Sequence, residues 1–309
     1  MPQLTPAQAR VVDPVLTTYA QGYSDPEFVG FYLFPSVPVN AAGGQIIEFG
    51  KESFRQYNTQ RAPGGSIKRA QTGYLGRPFS LQNHAFAGTV PLENLRDAKQ
   101  IPGVDLGKRA IRSALSVVQR SLEIQQAATA LNAAAYDTNH KVALTGTGKW
   151  SDPTAKPITQ ISTYREAVRA SSGRYPNVAT FSAVAWQAFI NNPEVIDRIK
   201  YTQTGIITEQ LAAVLLQVEK VVVGKSIYAD SNDAFVDIWG NNCVLAYTAL
   251  GSKDAEEPSY GYTYTLQGHP AVTQPWWDND TGSWIYPALY ERIPVLSGIS
   301  AGFLIQNPQ

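Results

Sequence analysis

The sequence predicts an α+β fold, in which a long helix and groups of β-strands occupy different parts of one chain. Three observations support this fold class. A helical apolar pattern covers about residues 104–136, two strand-like segments flank the turn signal Pro63-Gly64-Gly65, and aromatic strand-like segments such as YGYTYTL and WWDNDTGSWIY fill the C-terminal part. At 309 residues, the chain is long enough for one elaborate domain or for two.

The composition indicates a protein whose surface is partly covered by partners. Hydrophobic residues make up 44% of the chain, and charged residues make up only 16%, against about a quarter in ordinary proteins. The formal net charge is zero, so there is no bulk attraction to nucleic acid or to membranes. A net charge of zero does not exclude local charged patches.

The chain shows no targeting or membrane-spanning segment. The N-terminus MPQLTPAQARVVDPVL has no basic start followed by an apolar block, so we expect no signal peptide. No stretch approaches the roughly 20 apolar residues that a membrane span requires. Cys243 is the single cysteine and lies in the apolar run NNCVLAY, so we interpret it as a small buried residue.

The first 44 residues read as an arm. Six prolines, at positions 2, 6, 14, 26, 35 and 38, exclude a long helix and favour extended structure with turns. The segment FVGFYLFPSVPV at 28–39 contains Phe31 and Phe34 and is too apolar to stay exposed to water. We expect it to lie against its own domain or against a neighbouring subunit, with Phe31 and Phe34 at the subunit interface.

Residues 45–88 read as an extended hairpin. The segment GKESFRQYNTQRAPGGSIKRA at its tip carries five basic side chains and one acidic side chain, Glu52; the basic ones are Lys51, Arg55, Arg61, Lys68 and Arg69. An isolated hairpin of this kind is unstable, so it should rest on another surface. The basic cluster could be a solvated face, a nucleic-acid contact or a set of ion pairs with a neighbouring subunit. We favour the ion pairs, because the hairpin cannot stand alone. Nucleic-acid binding would require net basicity and a wider patch, whereas the net charge is zero.

The strongest helix is predicted from Val104 to Tyr136, a length of about 45–50 Å at roughly 1.5 Å per residue. It starts after Pro102-Gly103, where Asp105 favours the positive end of the helix dipole. Its apolar stripe consists of Leu106, Ile111, Leu115, Val118, Leu122, Ala128, Leu131 and Ala135. We expect this stripe to be core, so that Asp at position 115 or 122 should prevent folding.

A second unit of helices and strands follows the loop TGTGKWSDPTAKP. We predict helices at TYREAVRASS, AVAWQAFINNPEVIDRI and TEQLAAVLL, and strands at PNVATFS, VEKVVVG and FVDIWGNNCVLAYT. After the polar break GSKDAEEPS, the remainder reads as strands that end with SGISAGFLI. These patterns indicate a second α/β unit followed by a β-rich C-terminal part.

No motif predicts a catalytic, cofactor or metal site. GTGKW and GKS lack the glycine that a phosphate-binding loop needs five positions earlier, where Ala143 and Glu219 stand. DNDTG at 278–282 resembles the start of a calcium loop, but its twelfth position is Leu289 rather than Glu, so we interpret it as a turn. The three histidines are isolated, and Cys243 lies in a strand.

The order of several segments resembles the major capsid proteins of tailed bacteriophages. QGYSDPEFVGFYLFPSVPV and GGQIIEFGKESFRQYNTQRAPGG look like the arm and extended loop of that family, and the likeness continues through EIQQAATALNAAAYD, KWSDPTAKPI, NPEVIDRIKYT and IWGNNCVLAY. The resemblance covers nearly the whole chain. It implies the Hong Kong 97-type capsid fold and a structural protein of an icosahedral shell, without enzymatic activity or cofactor.

The resemblance also implies a domain order. Residues 1–44 would be the N-terminal arm, 45–88 the extended loop over an adjacent subunit, and 89–157 the peripheral domain with its spine helix at 103–137. Residues 158–250 would be the axial domain, and 251–309 would return to the peripheral domain. The arm begins near Met1, so any scaffold segment would be a separate protein or cleaved. We match no residues to the isopeptide crosslink of some family members, although Lys51 and Lys68 lie in the corresponding loop.

The implied partners are other copies of the chain, arranged as hexamers and pentamers, packaged double-stranded DNA bound without sequence specificity, and separate scaffold, portal or decoration proteins. The implied location is the virion, after assembly in the host cytoplasm, with no membrane. Two alternatives remain open at this stage. The chain could be the shell protein of an encapsulin-type compartment, or a soluble α/β enzyme whose site the sequence does not reveal.

Overall fold

The computed structural model describes residues 12–23, 25–46, 60–61, 77–98, 105–200, 207–251 and 259–309. Helices and strands are both abundant, and the larger sheets have six and five strands, so the α+β prediction is confirmed. We call these the first sheet and the second sheet. Two further sheets have only two strands each.

The first sheet is built around one long strand, β14 (Ser283–Leu296). Strand β4 (Gln82–Pro91) pairs with it from Ser283 to Arg292 along one edge. Three shorter strands pair in succession along the other edge; they are β11 (Gly261–Leu266), β12 (Ala271–Val272) and β13 (Trp276–Asp278). Strand β1 (Ser36–Val39) completes the sheet by pairing in parallel with β11.

The long helix of the sequence prediction is α4 (Leu106–Ala130), which lies across the first sheet. Asp105 caps it by accepting a hydrogen bond from Lys108 N. The helix ends earlier than the predicted Tyr136, because Asn132 accepts a hydrogen bond from Ala134 N and residues 131–136 form turns. Its 25 residues correspond to about 37 Å rather than 45–50 Å.

The predicted apolar stripe of α4 is correct in its first half and wrong in its second. Ile111, Leu115 and Val118 are buried, as expected. Leu122 is only partly buried, and Ala128 and Ala135 are exposed. The buried face continues instead through a mixed set of polar and small residues: Glu123, Gln126, Ala127 and Ala130. Polar residues can occupy this face because each finds hydrogen-bond partners in other elements.

The contact between α4 and β4 depends on a glycine. A Cβ at Gly88 would lie 2.4 Å from the carbonyl oxygen of Ala110, so any side chain there would push the helix away from the sheet. We expect Gly88→Ala to lower the free energy of unfolding by about 1–3 kcal/mol, the usual cost of overpacking. Gly148→Ala is the matched control, because a Cβ at Gly148 meets no atom within 4 Å. Denaturant unfolding would measure both, and equal midpoints would contradict this account of the contact.

The described part of the arm lies on its own chain. Asp13 caps α1 (Pro14–Gln21), and Thr17 exchanges hydrogen bonds with the backbone of Val272 in β12. A short helix, α2 (Gly30–Leu33), leads into β1. The predicted arm is therefore extended only in part, since Pro14 starts a helix at a position where proline is tolerated.

The predicted hairpin is present in its stem. Strand β2 (Gly43–Ile46) pairs antiparallel with β3 (Arg77–Ser80), while residues 47–59 and 62–76 lie outside the described residues. The predicted return strand is divided in two, because residues 82–91 leave the stem and join the first sheet as β4. The predicted loop boundary at residue 88 therefore lies inside β4.

The second sheet has the strand order β5, β15, β10, β6 and β7; the ranges are Lys141–Ala143, Gly302–Gln306, Asn242–Ala246, Val178–Ser182 and Lys220–Gly224. Four helices pack with this sheet; they are α5 (Pro157–Ser172), α6 (Ala183–Ile190), α7 (Pro193–Lys200) and α8 (Glu209–Leu216). Every residue of β6 is buried, including the polar residues Thr180 and Ser182. Trp150, Phe181, Phe189 and Leu245 lie in the core of this unit.

Three details differ from the sequence prediction. The last strand, β15, pairs with β10 and β5 in the second sheet instead of returning to the first. The segment 235–248 forms two strands, β9 (Phe235–Asp237) and β10, because Gly240 turns the chain at a φ of 55°. The helix predicted at 183–199 is interrupted before Pro193, where proline excludes a continuous helix. Strand β9 pairs with β8 (Ile227–Ala229) as an isolated hairpin.

Candidate assembly surfaces

Most of the predicted interface cations lie outside the described residues; these are Lys51, Arg55, Lys68 and Arg69. Arg61 is described and exposed. The stem below them is attached to the subunit by the ring of Phe79, which stacks on Tyr264 with centroids 4.6 Å apart. The rest of the stem is mostly exposed on both strands.

The two aromatic residues predicted at the interface have different environments. Phe31 is 48% exposed on α2, so its ring is available to a partner. Phe34 is fully buried in its own chain, with its ring 5.6 Å from that of Tyr260, so the prediction of Phe34 as an interface residue is wrong. The absence of a side chain at Gly261 makes this burial possible, because a Cβ there would lie 2.6 Å from the Phe34 ring.

A cavity of about 180 Å³ lies between the arm and α4, and Phe31 is one of its lining residues. Phe28, Leu122 and Tyr290 are among its apolar lining residues, and Gln119 and Asp25 are among its polar ones. Leu122 is only partly buried because it lines this cavity. We therefore expect substitution by Asp to prevent folding at Leu115 and to have a much smaller effect at Leu122.

Glu123 on the long helix forms hydrogen bonds with both the arm and the second unit, and no sequence motif predicts this role. Its side chain is 2% exposed and accepts hydrogen bonds from Val29 N, Gly30 N and Trp239 Nε1 at 2.7–3.1 Å. Burial raises the pKa of the Glu123 carboxyl above its ordinary value, and the three N–H donors act in the opposite direction. The helical pattern of the sequence predicts that Glu123 lies on a helix. It does not predict that N–H donors from two distant segments surround the Glu123 carboxylate.

Removing this carboxyl group should destabilise the subunit strongly. We expect Glu123→Ala to lower the free energy of unfolding by about 3 kcal/mol or more, because buried donors left without acceptors cost about 1–3 kcal/mol each. Glu123→Gln keeps one acceptor oxygen and should lose less. Glu93→Ala, at an exposed position on α3 (Leu92–Ala98), is the matched control. Thermal unfolding would contradict the assignment if the Glu123→Ala and Glu93→Ala proteins melted together.

Arg292 forms a second polar connection between α4 and the first sheet. It is fully buried, donates from Nη1 to the carbonyl oxygen of Val118 at 3.1 Å, and lies 4.7 Å from the centroid of the Tyr290 ring. Its Nε and Nη2 atoms have no hydrogen-bond partner among the described residues. Burial lowers the pKa of the Arg292 guanidinium to about 10, which leaves it charged at neutral pH.

Two apolar surfaces are exposed at the edges of the described chain. Trp276, Trp277 and Trp284 lie at the β13–β14 hairpin, with exposed fractions of 51%, 36% and 37%. The β8–β9 hairpin exposes Phe235 and Ile227. Tryptophan and other aromatic residues dominate the centres of protein interfaces, so these edges are candidate contacts between subunits. The sequence segment WWDNDTGSW could have indicated the first of them.

One cluster has the residue types of a hydrolase triad. His140 lies 2.7 Å from Asp137 through Nδ1 and 2.7 Å from Ser171 Oγ through Nε2. The Ser171 hydroxyl also faces three carbonyl oxygens, of Ala167, Val168 and Ser300, at 2.9–3.1 Å. These acceptors would repel the oxyanion of an acyl-transfer intermediate, which needs N–H donors. The cluster instead has a structural role, because Ser171 Oγ on α5 donates a hydrogen bond to the carbonyl oxygen of Ser300 in the 3-10 helix Ile299–Ala301.

The remaining motifs are structural. Asp278 accepts hydrogen bonds from Asp280 N and Thr281 Oγ1, so DNDTG is the turn of the β13–β14 hairpin. Cys243 is fully buried, and burial raises the pKa of its thiol well above the ordinary value. Across the described ranges, no group of three or more His, Cys, Asp or Glu residues could hold a metal ion. Within the same ranges, no helix has the length and apolarity to span a bilayer.

Comparisons with known proteins identify the family. A family model described as phage major capsid protein E matches residues 134–286. The major capsid protein of Burkholderia phage BcepMu is 36% identical over 306 residues, which are 97% of this chain and 98% of that protein. The chain belongs to the phage major capsid protein family. This capsid protein therefore has a structural role as one of many copies in a phage shell.

Solved structures support the same fold for the capsid protein. A phage-related protein from Bordetella bronchiseptica RB50 is 42% identical, with a TM-score of 0.85 over 97% of this chain and 99% of that chain. The putative capsid protein of an E. coli CFT073 prophage has a TM-score of 0.58 at 11% identity, over 96% and 99% of the two chains. The SrpI encapsulin of Synechococcus elongatus has a TM-score of 0.57 at 10% identity, over 92% and 88%. The fold is the Hong Kong 97-type capsid fold, which encapsulins share.

Proposed function

We propose that this capsid protein builds an icosahedral shell of hexamers and pentamers around a double-stranded DNA genome. Each subunit extends the loop between β2 and β3 over an adjacent subunit. The shell assembles in the host cytoplasm, with separate scaffold, portal or decoration proteins as further partners. Overlapping loops add buried area beyond the side-by-side contacts and connect the subunits mechanically.

The observation that carries this proposal is the isolated stem of the loop. Strands β2 and β3 pair only with each other among the described strands, and most of their residues are exposed. A two-stranded ribbon is marginal on its own, and the 47–76 segment beyond it is polar and basic. A neighbouring subunit is the surface that would stabilise such a ribbon in a shell.

The proposed contacts combine charge at the loop with apolar anchors elsewhere. Lys51, Arg55, Arg61, Lys68 and Arg69 would form ion pairs with carboxylates of a neighbour. Phe31 and the exposed tryptophans of the β13–β14 hairpin would supply desolvated aromatic contacts, the kind that dominate interface energetics. The buried Phe34 would act only inside its own subunit.

Electron microscopy of the purified full-length protein tests this function. We expect closed shells of uniform size, and particles recovered from phage-producing cells should contain nuclease-protected double-stranded DNA. Closed shells that contain a cargo enzyme and no DNA would support the encapsulin alternative. Protein that stays monomeric under all assembly conditions, or that shows turnover of a small molecule as a monomer, would overturn the proposal.

A further inference from the structure

The outward face of α4 carries a row of basic side chains. Lys108, Arg109, Arg112 and Arg120 are all exposed, and we call them the α4 basic stripe. Helical geometry places them within an arc of about 120° and along about 18 Å of the helix. The segment 106–122 contains no acidic residue, which is unusual in a chain whose basic and acidic residues are equal in number.

Among the residues that the structure describes, the charges of the stripe are largely uncompensated. Lys108 Nζ lies 3.6 Å from Asp105 Oδ2 at the start of the helix. Arg112 Nε donates a hydrogen bond to the hydroxyl of Tyr19 rather than to a carboxylate. Among the described residues, neither Arg109 nor Arg112 nor Arg120 has a carboxylate within ion-pair distance. The stripe is therefore a cationic surface available to an external anion.

The two faces of the first sheet differ in charge. Residues of β4 and β14 with even numbers face α4, since His84 contacts Gln125 and Arg292 reaches Val118. Along these two strands, the residues that point away from α4 include only one charged side chain, Glu291. On these two strands, the face away from α4 therefore carries one acidic and no basic side chain, whereas the exposed face of α4 carries the basic stripe.

We propose that the α4 basic stripe binds the phosphate backbone of the enclosed double-stranded DNA, so that the α4 face lines the interior of the shell. This inference rests on the proposed function. A straight row of cations fits a polyanion with regularly spaced charges. A protein partner would need an apolar centre, and the only large exposed hydrophobic residue among positions 105–122 is Val117. Binding is weak for one subunit and strengthened by many copies in the shell.

The test compares two variants of the full-length protein that change net charge equally. The stripe variant carries Arg109→Gln, Arg112→Gln and Arg120→Gln. The control carries Lys156→Gln, Lys200→Gln and Lys225→Gln, three exposed positions in the second unit. The probe is a fluorescent 30-base-pair duplex of random sequence, titrated with unassembled subunits between low and moderate salt.

We expect the wild-type and control proteins to bind the duplex with the same salt dependence. The stripe variant should bind at least about tenfold more weakly at low salt, and its slope of log affinity against log salt should fall by about 3, because each phosphate contact contributes about 0.9. Equal binding by the stripe variant and the control would overturn the inference. Absence of duplex binding by the wild-type protein at low salt would overturn it as well.

A reconstruction of DNA-filled shells tests the orientation separately. We expect α4 on the inner surface, with density of the outermost DNA layer beside residues 108–120. A closed, DNA-filled shell with α4 on its outer surface would overturn the inference while leaving the proposed function intact. Failure of the wild-type protein to form any shell would instead contradict the proposed function.

Discussion

Replacing residues 55–69 with a short Gly-Ser linker is expected to leave a folded subunit that builds no closed shells. The stem strands end at Ile46 and resume at Arg77, so the replacement leaves their pairing intact. The removed segment is polar and carries four basic side chains, Arg55, Arg61, Lys68 and Arg69. Its charges need partners, which a neighbouring subunit supplies in the proposed shell. Circular dichroism and the melting temperature report the fold, and sedimentation and electron microscopy report the particles.

Charge reversal offers a smaller change with the same expected outcome. Arg61→Glu, Lys68→Glu and Arg69→Glu together should block assembly by like-charge repulsion, and more strongly at low salt because screening relieves the repulsion. Reversal of Lys156, Lys200 and Lys225 changes the net charge equally and serves as the control. Normal closed shells from the linker variant would show that the loop has no role in assembly. Unfolding of the isolated variant subunit would show that the loop belongs to its own core.

Leu115→Asp is expected to abolish folding of the subunit. Leu115 is 1% exposed and packs between α4 and the first sheet with Ile111, Val272 and Ala288. An ionised carboxylate placed there has no partner, and its burial costs several kcal/mol, which is a large fraction of the stability of an ordinary domain. The variant should accumulate as insoluble protein, and any soluble fraction should lack the cooperative unfolding transition of the wild-type protein.

Val117→Asp provides the comparison on the same helix. Val117 is 38% exposed, so its replacement leaves the carboxylate in contact with water and should change the melting temperature little. The two variants share the same charge and nearly the same position in the helix. A soluble Leu115→Asp protein that unfolds like the Val117→Asp protein would show that the core face of α4 is on its other side.

Much of this fold follows from local sequence. Asp105 and the spacing of Ile111, Leu115 and Val118 predict the start and the buried face of α4, because helix caps and helical periodicity are properties of short segments. The turn chemistry of DNDTG is local in the same way. The order of these segments also indicated the capsid protein family, which the comparisons confirm.

Only the tertiary structure determined which residues are buried and which distant segments bury them. Phe31 and Phe34 lie three positions apart in one apolar segment, yet only Phe34 enters the core, because Gly261 leaves space for its ring. Glu123 and Arg292 look like surface residues in the sequence, and they are buried because donors and acceptors from distant segments meet them. The pairing of β15 with β10 likewise joins residues about 60 positions apart. Local patterns determine which elements form, whereas burial depends on contacts between segments that the sequence separates.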